Sequence, residues 1–327
     1  MLLTISIPTY NRAKYLHRSL SAIFSQKADF KNNLNIQIFD NCSSDNTKDI
    51  VKSFQEAGNE INYVINAQNI GADKNIRQSY LSAKSKYVLV LGDDDVLMPG
   101  SIKYILELLK NGDYGLVFLN FYQFLDNPEM ERPKQFSEKT YIYKGEKILK
   151  YILSNIAFIS SNIVNTKYLS NEDFDLSDGT GLNQIPGIIE ASKSKENVFI
   201  NKFYLAQQKE NSGGYSYFNV FGENFATVTN NHLDDKSKAK NQIFNHLLLH
   251  VFPYHVYNLV KNDKVGANIT YEMLHKYFNK RPFFWLLIFP ILRFPKPLSY
   301  ISYTWARVCN KVFYIFDRIH TGKVLKF

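Results

Sequence analysis

The chain has 327 residues, 45% hydrophobic and 21% charged, enough for one large or two ordinary cored domains and too apolar for a disordered chain. The net charge of +9 is uneven: residues 281–327 hold eight Lys/Arg against one acid, Asp317, while the first 280 residues are near neutral. This argues against a nucleic-acid groove across the main domain, and two distant cysteines, Cys42 and Cys309, give no disulfide framework and suit a reducing compartment.

The amino end, MLLTISIPTYNR, has no basic segment ahead of a long apolar core and is predicted as a strand, not a signal peptide. Strands are predicted over 3–8, 36–40, 63–65, 87–91 and 116–120, alternating with helices over 15–25, 45–56, 73–82 and 101–110. Near-continuous apolar strands separated by helices predict an α/β fold with a parallel-dominated sheet covered on both faces. Residues 126–144, with prolines at 128 and 133, read as a loop, followed by a helix over 145–155 and a strand over 158–164. The acidic stretch 170–183 is loop-like, and a helix over 185–191 tolerates Pro186 near its start. Residues 197–205 read as an edge strand and 211–218 as a mobile segment. From about 220 the period turns helical, with amphipathic helices over 237–262 and 268–279. The last 47 residues are aromatic and basic, broken by prolines 282, 290, 295 and 297. Their apolar run FFWLLIFPILRF has twelve residues, whereas a bilayer span takes roughly 20.

The densest chemistry lies in YVLVLGDDDVLMPGSI, residues 87–102, where an apolar strand ends in Asp93, Asp94 and Asp95. Three adjacent carboxylates repel one another, and a divalent cation with hard oxygen ligands, Mg²⁺ or Mn²⁺, offsets that repulsion. A solvated acidic turn is the alternative. SIPTYNR places Pro8, Tyr10, Asn11 and Arg12 after the first strand, and Asp40 ends the second. NAQNIGADKNIR sets Gly71 and Asn75 where the third strand gives way to a helix. In a parallel sheet all these loops share the edge that carries the acids, where open α/β sheets bind ligands. A carboxylate for a base N–H (Asp40), an aromatic ring (Tyr10), a cation for phosphate (Arg12) and a metal site together match a nucleoside diphosphate. Singly, Asp40 and its neighbours are also a turn and a helix cap, and Gly71 a positive-φ glycine.

The series IPTYNR, FDNCSSDNT, NIGADKN and LVLGDDDVLMPGSI resembles the inverting glycosyltransferase family 2 over residues 1 to about 125, more weakly to 215. Within that family it is most similar to bacterial transferases that build O-antigen or capsule repeat units. The resemblance implies a GT-A fold, a nucleotide pocket lined by Pro8, Tyr10, Arg12 and Asp40, and a metal ligand at Asp94 flanked by Asp93 and Asp95; the shared loop edge adds Asn11, Gly71, Asn75 and Asp93 to the nucleotide side and Asp95 to the metal. Gly92 stands where the family usually has the first Asp of its acidic motif, and Asp93 is placed to substitute for it. The implied layout is a transferase domain over 1–219, with a nucleotide half (1–125) and an acceptor half (126–219), then a helical region over 220–327. The implied reaction is sugar transfer from a nucleoside diphosphate donor to a saccharide hydroxyl on a lipid-linked intermediate. The catalytic base is expected near the helix that begins at Asn183-Gln184, but amides cannot take a proton. The nearest carboxylates are Asp175, Asp178 and Glu190, of which Asp178, beside Gly179 and Gly181, is assigned the role.

Two rivals are a sugar nucleotidyltransferase, for which IPTYNR lacks the glycines of a phosphate loop, and a non-catalytic membrane-associated partner protein. His246, His250 and His255 are expected to pack or face solvent, since HLLLH lacks a metalloprotease glutamate. Cys42 is expected to be a buried small hydrophobe. The basic aromatic tail is assigned to an anionic membrane surface on the cytoplasmic face, with Phe283, Phe284, Trp285, Tyr303 and Trp305 at the interface.

Overall fold

The structure, a computed structural model, describes every residue except 31, 136, 210–215, 318–322 and 326–327, and omits the side chains of 264 and 313–317. The chain divides into two compact units, one formed by Met1–Ile148, Asn155–Gly213 and Gly322–Phe327, the other by Leu149–Ser154 and Gly214–Thr321. The expected boundary at 219/220 therefore falls at 213/214. A short segment of the acceptor half also joins the second unit, and the extreme carboxyl end joins the first.

The first unit is built on β1 (Leu3–Thr9), β2 (Leu34–Asp40), β3 (Asn62–Ile65) and β4 (Tyr87–Val90). They pair in parallel in the order β3-β2-β1-β4, with Thr9 opposite Asp40 and Asp40 opposite Ile65. Helices α1 (Ala13–Phe24), α2 (Thr47–Glu56) and α3 (Ala72–Leu81) make the crossovers. Ile5, Ile7, Ile38 and Leu89 are fully buried with Leu16, Leu20 and Ile23 of α1, as expected of strands covered on both faces. A two-residue strand, β5 (Val96–Leu97), follows the acids, and Gly100, at φ 78°, turns the chain into α4 (Ser101–Lys110).

The remainder of the unit contains β6 (Leu116–Phe124), β7 (Thr140–Tyr143), β8 (Asn162–Asn165), α6 (Asn171–Leu176), α7 (Gln184–Ser192) and β9 (Asn197–Gln208); α5 (Leu149–Ile152), between β7 and β8 in sequence, belongs to the second unit. The mixed, mostly parallel sheet runs β10-β7-β9-β6-β8-β4-β1-β2-β3, β10 (Lys323–Leu325) closing it against β7. Four expectations change here. Strand β9 is interior, parallel to β6 on one side and antiparallel to β7 on the other. The loop over 126–144 ends in β7, and the acidic loop contains α6. The helix over 145–155 is instead broken into 3₁₀ turns around the four residues of α5. The stretch 211–218, expected to be mobile, falls largely outside the described residues.

The second unit is helical: α8 (Phe225–His232), α9 (Lys238–His246), α10 (Phe252–Asn262), α11 (Lys264–Phe278), α12 (Phe289–Arg293) and α13 (Lys296–Asp317). The π-helical turns Leu247–Val251 and Phe284–Ile288 run straight into Pro253 and Pro290 at the starts of α10 and α12. A proline without an N–H breaks the i→i−4 ladder, and a widened turn absorbs the mismatch. Among the described residues no helix is long and apolar enough to cross a membrane.

Candidate active site

Because β1 to β4 are parallel, their carboxyl ends present four loops on one edge. The β1 loop is clipped to the β2 loop. Asn11, at φ 53°, donates its backbone N–H to Ser43 Oγ at 2.9 Å, and its Oδ1 accepts from Ser44 N at 2.7 Å. Asp45 accepts from Ala13 N at 2.9 Å, capping α1 from another loop. Asn41 ties the β2 loop to the β3 loop, donating to Asn69 Oδ1 at 2.8 Å and accepting from Ile70 N at 2.9 Å. Asn75 donates to Phe39 O at 2.9 Å and accepts from Asn66. Gly71 has φ 86° and is the N-cap residue that opens α3, as its positive-φ role requires.

Asp40 is 1% exposed and accepts from Ser43 N at 2.8 Å and from Tyr63 Oη. The structure thus gives it the work of holding its loop. Tyr10 is exposed. Cys42 is exposed too, at φ 67°, which corrects the expectation of a buried residue.

The acids form the centre of the edge. Asp93 is buried, accepting from Thr9 Oγ1 at 2.7 Å and Arg12 Nη1 at 3.0 Å. The same guanidinium lies 3.3 Å from Asp94 Oδ2. Asp95 is buried with both oxygens engaged, one by Ser160 Oγ and one by Gln208 N at 3.2 Å. Arg18 donates to the Asp94 carbonyl at 2.9 Å and to Gln208 Oε1 at 2.6 Å. Burial, augmented by the charge on Asp94, pushes Asp93 from 3.8 up to about 6, against the pull of Arg12 and Thr9. Burial and then the Asp94 charge raise Asp95 well above its ordinary value. Three carboxylates crowd this edge with Arg12 as the cation paired to two of them, and these hard oxygens suit Mg²⁺ or Mn²⁺. Among the described residues no three acidic, His or Cys side chains make a complete cage. A cation at Asp94 would therefore complete its shell from phosphate and water, the usual arrangement for Mg²⁺.

Thr9, Arg18, Ser160 and Gln208 were not predicted for this site. Ser160 lies just before β8 and Gln208 ends β9, and the register of both strands is set by topology rather than by local composition. Gly92 now has a physical reason. A Cβ there would lie 2.9 Å from Asp95 Oδ2, 3.1 Å from Asp94 Oδ1 and 3.3 Å from Ser160 Oγ.

On the acceptor side, Asp175 pairs with Arg77, and Glu190 pairs with Lys193 at 2.6 Å. Asp178 is exposed in the turn before α7. That turn is tied to the start of α3: Gly181 N donates to Asp73 Oδ2 at 3.0 Å, and Asn183 Nδ2 donates to Asp73 O at 3.0 Å. Burial first and the Asp178 charge in addition raise the Asp73 carboxyl pKa, although the Gly181 N–H opposes the shift. Asp73 was not singled out by sequence reasoning. In the second unit the rings of His246 and His250 lie 4.8 Å apart, and His246 Nδ1 is 3.2 Å from Ser154 Oγ, consistent with packing.

The family model for glycosyl transferase family 2 matches residues 4–169. The GalNAc(5)-diNAcBac-PP-undecaprenol beta-1,3-glucosyltransferase of Campylobacter jejuni is 34% identical over 139 residues, 42% of this chain and 42% of that protein. The abequosyltransferase RfbV of Salmonella typhimurium is 36% identical over 110 residues, 33% of each chain. The matched region is less than half the length of either relative. Among solved structures, S. aureus TarS 1–349 in complex with UDP-GlcNAc is similar with a TM-score of 0.64 at 15% identity, covering 99% of this chain and 96% of that one. The mannosyltransferase PcManGT of Pyrobaculum calidifontis, in complex with GDP-Man and Mn²⁺, has a TM-score of 0.55 at 13% identity, covering 97% and 88%. At such identities the likeness is one of fold, and that fold is GT-A. The family model runs from β1 through Asp93–Asp95 and past β8, and the chain belongs to glycosyl transferase family 2.

Proposed function

We propose that the chain transfers a sugar from a nucleoside diphosphate donor to a saccharide hydroxyl, with inversion at the anomeric carbon. The observation that carries this is the convergence of Arg12, Asp93, Asp94 and Asp95 at the carboxyl edge of four parallel strands, where the guanidinium of Arg12 reaches both Asp93 and Asp94. Pro8, Tyr10 and Gly71 frame the nucleotide side, while Asn11, Asp40 and Asn75 hold its loops in register. Arg12 offers its guanidinium to the diphosphate. Asp94 would hold Mg²⁺ or Mn²⁺, with Asp95 fixed behind it by Ser160, and the cation supplies charge that offsets the leaving diphosphate. Asp178 takes the proton of the acceptor hydroxyl from the turn that Gly181 and Asn183 tie to Asp73.

The acceptor in this reading is a lipid-linked surface-polysaccharide intermediate on the inner face of the cell membrane. A relative named for a PP-undecaprenol acceptor supports it, as do the eight basic residues between 281 and 327. Thermal shift with UDP, GDP, CDP and dTDP, each with and without Mn²⁺, tests the site. A shift that needs both components is expected. Asp94→Asn should lose that shift and on the order of 10²-fold in kcat, with an unchanged circular dichroism spectrum. A folded Asp94→Asn protein with near-normal turnover would remove Asp94 from the role. Asp178→Asn should lower kcat by a comparable factor and leave nucleotide affinity alone. An equal loss in both would make Asp178 a binding residue rather than the base.

A further inference from the structure

Helix α13 is amphipathic in the reverse sense for a packed helix. Leu298, Ile301, Trp305, Val308 and Val312 recur at spacings of three and four, which places them within an arc of about 80° on an α-helix. All five are exposed, from 49% to 60%. The residues turned inward are small or polar. Ser299 and Ala306 are buried, while Ser302, Tyr303, Cys309 and Asn310 are partly so. Ser299 Oγ donates to Ile291 O at 2.8 Å, and Tyr303 stacks on Tyr257 of α10 with ring centroids 4.3 Å apart. The helix is therefore anchored through its less apolar side. Lys296, Arg307 and Lys311 are exposed, and helical spacing sets them on the arc between the anchored and apolar faces.

Charge decides what covers the apolar arc. No acid occurs between Arg281 and Asp317. A second copy of the helix seated on the same stripe would bring Arg307 and Lys311 toward their own counterparts with no carboxylate to pair them, against the logic of coiled-coil flanking charges. An anionic lipid surface supplies the missing charge and an acyl layer for the stripe, and Trp and Tyr suit the boundary between the two.

We propose that α13 is an interfacial helix. It lies in the headgroup layer of an anionic bilayer, with Leu298, Ile301, Trp305, Val308 and Val312 against the acyl chains and Lys296, Arg307 and Lys311 on lipid phosphates. This rests on the membrane reading above for the presence of a membrane, and adds the element and the face that meet it. It also replaces part of the expected contact set, because Phe284 is fully buried. Exposed Trp285, Leu286 and Phe294, in the segment leading into α13, add apolar surface.

The chain's two tryptophans make the test direct. In full-length Trp285→Phe protein, Trp305 is the sole reporter. With vesicles of phosphatidylglycerol and phosphatidylcholine at low salt, its emission should shift to the blue and be quenched by brominated acyl chains. Ile301→Asp/Val308→Asp should weaken vesicle partition by about tenfold or more, while UDP binding by calorimetry stays unchanged and shows the protein is folded. Vesicle binding unaltered by the double substitution would overturn the assignment to α13 and leave the membrane reading standing. No partition of the wild-type protein at low salt would overturn both. A dimer in solution that the double substitution dissolves, without vesicle binding, would show that a second copy covers the stripe and that the proposal is wrong. None of these outcomes bears on UDP binding, which tests the transferase reading separately.

Discussion

Gly92 shows how a single residue can depart from a family pattern for a local reason. Its backbone N–H donates to Ser160 Oγ at 2.9 Å, and that hydroxyl in turn donates to Asp95. The small residue lets one serine hold both the strand end and the buried carboxylate. Restoring the aspartate usual in the family would drive a Cβ to 2.9 Å from Asp95 Oδ2 and add a fourth negative charge to an edge already overloaded. Gly92→Asp should therefore destabilise the protein by about 1–3 kcal/mol, the range for overpacking a tight site. It should weaken nucleotide binding rather than improve it. Urea unfolding and calorimetry with UDP and Mn²⁺ check both statements, and a Gly92→Asp protein that binds UDP more tightly would show that the space is not fixed. The contact that Asp93 makes with Thr9 bears on the same point. Buried and shared between Thr9 and Arg12, Asp93 sets the position of Arg12 and is not placed as a surface ligand.

At the scale of elements, α1 carries Arg18 and is preceded directly by Arg12, the two guanidiniums of the acidic edge, and its start is capped by Asp45 from the next loop. Asp45→Ala removes that cap and the bond to Thr47, at a cost of about 1 kcal/mol. The loss should also appear as weaker nucleotide binding, because Arg12 is the residue that precedes the helix. A stability loss with unchanged UDP affinity would separate the cap from the site. Such cross-loop clips explain what the sequence could and could not convey. The first four strands and helices were legible because the strands are short and mostly apolar, the helices amphipathic, and the turns between them rich in Asn, Asp or Gly. Their order alone put Arg12, Asp40 and the three acids on one edge. The β9 strand was misread as an edge because a strand's neighbours follow from topology, not composition. Its partner β7 has only four residues, and β10 arrives from a tail whose composition reads as helical. Ser160 and Gln208 were invisible as site residues for the same reason, since their place beside Asp95 depends on two strands inserted from later in the chain. Asp73 was hidden within a motif read for its glycine and asparagine.

For the molecule as a whole, the two units should answer acidification with opposite signs. In the first unit Asp93 has a native pKa of about 6 against an ordinary 3.8. A carboxyl raised on folding contributes stability that is complete below the unfolded value and is lost as pH rises through the folded one, on the order of 3 kcal/mol here. In the second unit burial, and secondarily the neighbouring His250, lower His246 from 6.5 to about 3. A histidine depressed on folding contributes stability above its unfolded value, and that contribution erodes as pH falls below about 6.5, by roughly 2 kcal/mol at pH 5. Both tryptophans, Trp285 and Trp305, belong to the second unit, so their fluorescence reports that unit's unfolding. Urea unfolding followed by tryptophan emission should therefore shift to a lower midpoint between pH 7.5 and pH 5. The shift should shrink in His246→Gln, which keeps a partner for Ser154 without the titrating ring. Over the same interval Asp93→Asn should be more stable than the wild type at pH 7.5, an advantage that narrows toward pH 5, as followed by far-ultraviolet circular dichroism. A tryptophan midpoint that does not move with pH would mean that His246 is hydrated in solution, and its packing against Ser154 and His250 would need revision.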